Sequence, residues 1–195
     1  MALTLTKNQS ISLEKTAGSG LSNISLGLGW DPVKATGFFG KLMGGGAIDL
    51  DASCIVLDDQ LQSIDLVWFR QLKSKDGSIQ HSGDNRTGEG DGDDESISVD
   101  LKSLPAAAKH LVFTVNSFTG QNFEKVENAY CRILNRSNNT ELARFNLSEK
   151  GQHTGIVMGC LSRDSSGWQF KAIGQVTNGR TADDLVNLAM QAVRG

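Results

Sequence analysis

The densest chemistry in the chain lies between Gly83 and Glu95, in the stretch GDNRTGEGDGDDE. Six acids, Asp84, Glu89, Asp91, Asp93, Asp94 and Glu95, stand there against one base, Arg86. The stretch therefore carries a net charge of −5, whereas the whole chain carries −3. Carboxylates crowded together inside a fold repel one another unless something positive sits among them. A solvated acidic run is the bland alternative, but such runs favour chain ends and linkers, and this one lies between two segments patterned as strands. The residues point to a cation-binding loop.

Calcium takes about 6–8 oxygen ligands in irregular geometry, whereas magnesium holds to a strict octahedron that keeps several waters. Gly88, Gly90 and Gly92 let the backbone turn so that alternate side chains and carbonyls converge, which suits calcium. Asp84 to Glu95 has the twelve-residue length of an EF-hand loop, with Asp first and Glu last. The register fails, because the third, fifth and sixth positions are Arg86, Gly88 and Glu89, and the flanks read as strands rather than helices. Asn85 adds a further oxygen donor. Asp49 and Asp51 fall on one face of an earlier strand, opposite Ile48, Leu50 and Ala52. They read either as an exposed strand edge or as additional ligands. Counted together, these donors exceed what one ion needs, so two adjacent ions are expected. His81, three residues before Asp84, could act as a base beside an ion-bound water in a hydrolase, or be a structural residue at a strand end.

The elements that must position these groups read as strands. Leu3 and Leu5, then Ile11 and Leu13, alternate with polar residues at a period of two. Ile24, Leu26, Leu28 and Trp30 alternate with Ser25, Gly27 and Gly29, an apolar face backed by a nearly bare one on which something can pack closely. The loop at 35–46, ATGFFGKLMGGG, is too apolar for plain solvent, and is either tucked against the sandwich or offered to a partner. Ile64 to Phe69 reads as a central strand, apolar on both faces. Asp76-Gly77 suggests a type I′ hairpin turn. Ile97, Val99 and Leu101 follow the acidic loop in strict alternation. Further strands are expected around Leu111–Val115, 129–135, 143–147, 154–161 and 168–173, with a short helix at 120–128. Thr181 as N-cap and the spacing Leu185, Leu188, Ala189, Ala192, Val193 predict an amphipathic C-terminal helix over about 181–194.

Composition supports a single domain over residues 1–195, of the all-β class: a β-sandwich of two mostly antiparallel sheets, with the C-terminal helix and minor short helices. Twenty-two glycines against two prolines indicate many turns. No apolar run approaches the ~18 residues of a membrane span and the N-terminus lacks a secretory pattern, so a cytoplasmic protein is expected. Cys54, Cys131 and Cys160 are too few and too scattered for a disulfide framework or a zinc site, and read as inert core thiols. Trp30, Trp68 and Trp168 read as core rather than as a sugar-binding platform. A sequence pI near 5.6 argues against a nucleic-acid surface.

The motifs GLGWD at 27–31, DLDAS at 49–53, GDNRTGEGDGDDE at 83–95 and NAYCRILN at 128–135 together resemble the TerD family of bacterial tellurite-resistance and stress-response proteins. That resemblance implies two bound calcium ions. Carried onto this chain, the ligands are Asp49, Asp51, Asp84, Asn85, Asp91, Asp93, Asp94 and Glu95, with Gly90 through its carbonyl. It further implies a non-enzymatic protein that meets other stress-response proteins, including a membrane-associated complex. A metal-dependent hydrolase and a passive carbohydrate-binding or structural sandwich are the alternatives. The apolar loop before DLDAS and the long terminal helix depart from the simplest members.

Overall fold

The structure is a computed structural model that describes residues 2–18, 20–32, 49–83, 92–147 and 150–194, apart from the Lys125 side chain. The loop at 35–46 lies outside these residues. Among the described residues twelve strands form two six-stranded sheets. The first runs β1 (Leu3–Leu5), β10 (Thr140–Asn146), β9 (Val126–Asn135), β3 (Asn23–Pro32), β7 (Glu95–Asp100), β6 (Ile79–His81). The second runs β2 (Ser10–Ser12), β12 (Gly167–Thr177), β11 (Gly155–Asp164), β8 (His110–Ser117), β4 (Leu50–Leu57), β5 (Ser63–Val67). All pairings are antiparallel except β1 with β10. The sandwich read from strand alternation is the fold observed.

Alternation explains the core between the sheets. Ile24, Leu26, Leu28 and Trp30 of β3 and Ile97 and Val99 of β7 turn inward to meet Cys54, Val56, Phe113 and Val115 of the second sheet. The two outer faces differ. Helix α2 (Ala182–Arg194) lies on the second sheet, where Leu185, Ala189 and Ala192 cover Ile55, Leu57, Val112, Val157 and Ile173. Its start is a capping box: Thr181 Oγ1 accepts from Asp184 N (3.3 Å), and Asp184 Oδ2 accepts from Thr181 N (3.0 Å). This second core is why β4 is buried at every position, polar face included.

Several local expectations are corrected. Leu13 opens a short helix, α1 (Leu13–Ala17), capped by Ser12, instead of ending a strand. Among the described residues the strand at Ile64 is an edge strand paired only with β4; it ends at Val67, and Trp68 bonds in a tight turn to Gln71. Trp30 and Trp168 are core, but Trp68 stacks edge-on with Phe69, which meets Phe118, and Arg70 lies over all three rings. In the 74–79 turn only Gly77 takes a positive φ (82°), because the Asp76 carboxylate accepts from Ser78 N at 2.7 Å; the turn is therefore not type I′. The helix expected at 120–128 is a single 3-10 turn, Phe123–Lys125. The three cysteines are free and buried, and burial pushes Cys131 and Cys160 up to about 12 and Cys54 further still.

Among the described residues, no helix is long and apolar enough to cross a membrane.

Candidate functional site

Among the described residues no helix lies over the outer face of the first sheet, and glycines of β3 form its floor. Gly27 pairs with Arg132 and Gly29 with Tyr130 across the β3–β9 ladder. A side chain at either glycine would collide with a neighbour: at Gly27 with the Asp93 carboxylate, at Gly29 with the Tyr130 ring. The bare face read from the sequence is therefore where the end of the acidic segment seats.

Asp93 is fastened there. Its Oδ1 accepts from Arg132 Nε at 2.8 Å, and the single proton of the Tyr130 hydroxyl is shared between Gly92 O at 2.8 Å and Asp93 Oδ1 at 3.1 Å. Arg132 Nη1 also donates to Glu141 (3.1 Å), which Arg144 clamps with two bonds of 2.9 Å. The Arg144 guanidinium rests 4.1 Å from the Tyr130 ring centre. Bidentate, partly buried pairs of this kind hold geometry better than isolated surface ion pairs. The pair of arginines holds the Glu141 carboxyl below the usual carboxylate range, with the Arg144 hydrogen bonds the largest cause.

Asp94 turns the other way along the segment. Its N–H donates to Leu28 O (2.8 Å) and its Oδ2 accepts from Trp30 N (2.9 Å), so it prolongs the β3–β7 ladder past Glu95. Burial pushes its carboxyl up, and the charges of Asp31, Asp93 and Glu95 add to this against the opposing Trp30 bond. Asp31 and Asp94 border a depression of about 800 Å³, shared with Asn128, Tyr130 and Arg144. Asn128 Nδ2 donates to Asp31 at 2.8 Å.

Glu95 points into the sandwich. Its Oε2 accepts from Ala52 N at 2.7 Å and lies 3.4 Å from His81 Nε2, while His81 Nε2 reaches Ala52 O at 3.0 Å. Gly83 N donates to His81 Nδ1 (3.0 Å), which places the ring proton on Nε2 and makes it the donor to Ala52 O. The reason is main-chain accounting. Pairing of β5 with β4 begins only at Cys54, so among the described residues no strand stands beside the outward N–H and C=O of Ala52. Glu95 and His81 take the place of that missing strand. With both ring nitrogens engaged and the side chain buried, His81 is not presented as a base.

Asp51 is buried at 4% exposure on the face of β4 that carries Ile55 and Leu57 toward α2, and its Oδ2 accepts from Asn116 Nδ2 at 3.4 Å. Asn116 Nδ2 also donates to Arg180 O (2.8 Å), tying this group to the approach to α2. Asp49 precedes β4 and is half-buried. Asp84, Asn85, Gly90 and Asp91 lie outside the described residues. Among the described residues no three acids, histidines or cysteines converge as a complete metal cage. Asp31 and Asp94 nevertheless offer hard oxygens of the kind calcium takes, while Asp93 and one oxygen of Glu95 serve as fasteners.

Sequence reasoning did not single out Asp31, Tyr130, Arg132, Glu141 or Arg144. The signal was there for two of them: Tyr130 and Arg132 alternate outward along NAYCRILN, and each faces a glycine of GLGWD.

A sandwich with one sheet sealed by a terminal helix and the other bearing an acidic segment on a glycine floor defines a β-protein built around a charged surface site. The chain belongs to the TerD family, whose domain model matches residues 1–190. It is 52% identical over 192 residues to "Tellurium resistance protein TerZ" of Serratia marcescens, covering 98% of each chain. It is 40% identical to "Stress response protein SCP2" of Bacillus subtilis (strain 168), covering 96% of this chain and 98% of that one. A solved homologue of telluride resistance protein (TerD) from Streptomyces coelicolor A3(2) shares the fold, with TM-score 0.70 at 20% identity over 87% of this chain and 98% of that one.

Proposed function

We propose that this chain is a cytoplasmic calcium-binding protein of the tellurium-resistance and chemical-stress response, acting through contacts with other proteins and not by catalysis. Its relatives' names carry the general role. The observation behind the metal is the crowding of Asp31 and Asp94 at one wall of an open depression, with a carboxyl pushed up by burial and by its acidic neighbours. A bound divalent cation supplies the positive charge that such a group lacks. Around it, Arg132 and Tyr130 hold Asp93 and set the direction in which the acidic segment leaves β7. Asp84, Asn85, Gly90 and Asp91, with Asp49 and Asp51 from the β4 side, complete the donor set for two calcium ions. The aromatic group under Arg70, with Trp68 and Phe69 half-buried and Phe118 exposed, supports a role in protein contacts, since such groups recur at interfaces.

The test is thermal. An ion that binds only the folded form at a hundred times its Kd stabilises by ~2.7 kcal/mol, or about 5–10 °C for a chain of this size. Calcium is expected to give that increment and magnesium much less, and the double change Asp31→Asn, Asp94→Asn is expected to remove most of it. Equal responses to the two ions, or none, overturn the reading.

A further inference from the structure

We infer that the outer face of the first sheet carries a second site, for a small oxyanion of the phosphate class, which adjoins the end of the acidic segment at Asp93. It is a depression of about 380 Å³ lined by Ser25, Ser96, Ser98, Leu134, Arg136 and Asn139, with Asp93. Ser25 of β3 lies directly opposite Ser98 of β7, and Ser96 lies opposite Gly27, so three hydroxyls stand on adjoining rungs of one ladder. Arg136, from the β9–β10 turn, reaches over them and donates from Nη1 to Ser98 Oγ at 2.8 Å. Because Ser98 accepts that bond, its own proton is free to point into the depression. Asn139, held in the left-handed conformation (φ 56°), brings a side-chain amide to the rim.

Charge selects the ligand. Asp93 is the acid at the edge of the depression, and its Oδ1 is taken by Arg132 and Tyr130 while its other oxygen lies against Gly27. Asp93 and Glu141 balance Arg132 and Arg144, so that network is neutral as a unit. Arg136 has no carboxylate within ion-pair distance among the described residues. The site therefore presents one unmatched guanidinium and a row of hydroxyl and amide donors. That donor set matches the several acceptor oxygens of a tetrahedral oxyanion. A cation would meet the guanidinium, and an apolar molecule would find little beyond Leu134. The volume exceeds that of phosphate alone, which leaves room for the small organic group of a phosphomonoester.

The experiment is an amide and Arg side-chain NMR titration of the whole chain in chelator, with inorganic phosphate in one arm and glycerol 3-phosphate in the other. Saturable shifts are expected at Ser25, Ser96, Ser98 and the Arg136 Nε–H. Tighter binding of the ester assigns a metabolite, and equal binding assigns the free oxyanion. Arg136→Gln, at an exposed residue whose loss leaves the spectrum dispersed, is expected to weaken binding about tenfold, the scale of one charge-assisted bond. Arg136→Lys retains part of it, and Ser165→Ala, in the β11–β12 turn of the other sheet, leaves it unchanged. Non-saturating shifts, equal affinity in Arg136→Gln, or an equal loss in Ser165→Ala overturn the proposal.

Discussion

Gly27 and Gly29 matter at the scale of single residues for what stands on them. The Asp93 carboxylate occupies the space that a methyl at position 27 would need, and at position 29 a methyl would come within 2.5 Å of the Tyr130 ring. Neither neighbour can swing away cheaply, since Arg132 and the tyrosine hydroxyl hold Asp93, and Arg144 covers the ring. Gly27→Ala is therefore expected to destabilise by about 1–3 kcal/mol, the range for overpacking a filled site. Urea unfolding of the variant measures it. A near-zero change would show that Asp93 is not seated as described. The bare face was legible in the sequence because glycines alternated with large apolar residues, but its occupants come from residues 66 and 101 positions farther along the chain and no local pattern names them.

Among elements, α2 and β4 show how one part of the chain changes the meaning of another. Asp51 and Ser53 alternate with apolar residues as if they faced water, yet α2 lies over that side of the sheet and both are buried. The helix itself was readable from its capping box and apolar spacing. What it covers was not, because the apolar residues under it, Ile55, Val112, Val157 and Ile173, are scattered over four strands. Leu185 is fully buried there, so Leu185→Ala is expected to cost about 2–4 kcal/mol in chemical denaturation, as for other buried leucines cut to alanine. Ser→Ala at the exposed Ser166 serves as the control, and equal effects of the two would mean that α2 does not seal this sheet. The edge position of β5 shows the same limit, since an apolar run gives no sign of how many neighbours a strand will have.

Over the whole molecule, carboxylates fasten distant parts of the sandwich. Asp65 is lowered despite its burial by Lys75 N–H, Gln71 and Leu66 N–H; Glu141 by Arg144 and Arg132; Asp184 by Arg180 N–H and Thr181. One holds the edge of the second sheet, one the outer face of the first, and one the start of α2. A carboxyl whose folded pKa is depressed adds stability that is complete above its unfolded value, about 4, and is lost as pH falls through the folded value. Melting temperature is accordingly expected to hold from pH 7 to about 5 and to fall steeply below pH 4. Asp94 runs in the opposite sense: its raised carboxyl opposes folding once ionised, so it softens the acid loss in metal-free protein. A flat profile from pH 7 down to 3 would contradict this account.

The sequence by itself determined the sandwich, the terminal helix with its cap, the glycine floor, the buried thiols and the acidic segment, because each is written in local periodicity or composition. Only the tertiary structure decided where consecutive acids point. Asp93 is drawn outward to Arg132 and Tyr130, Asp94 closes onto Trp30, and Glu95 turns inward to serve the unpaired main chain of Ala52. The division follows from the physics. Strand alternation is a property of neighbours along the chain, whereas these partners are set by register between strands and by the point at which β5 stops short of Ala52.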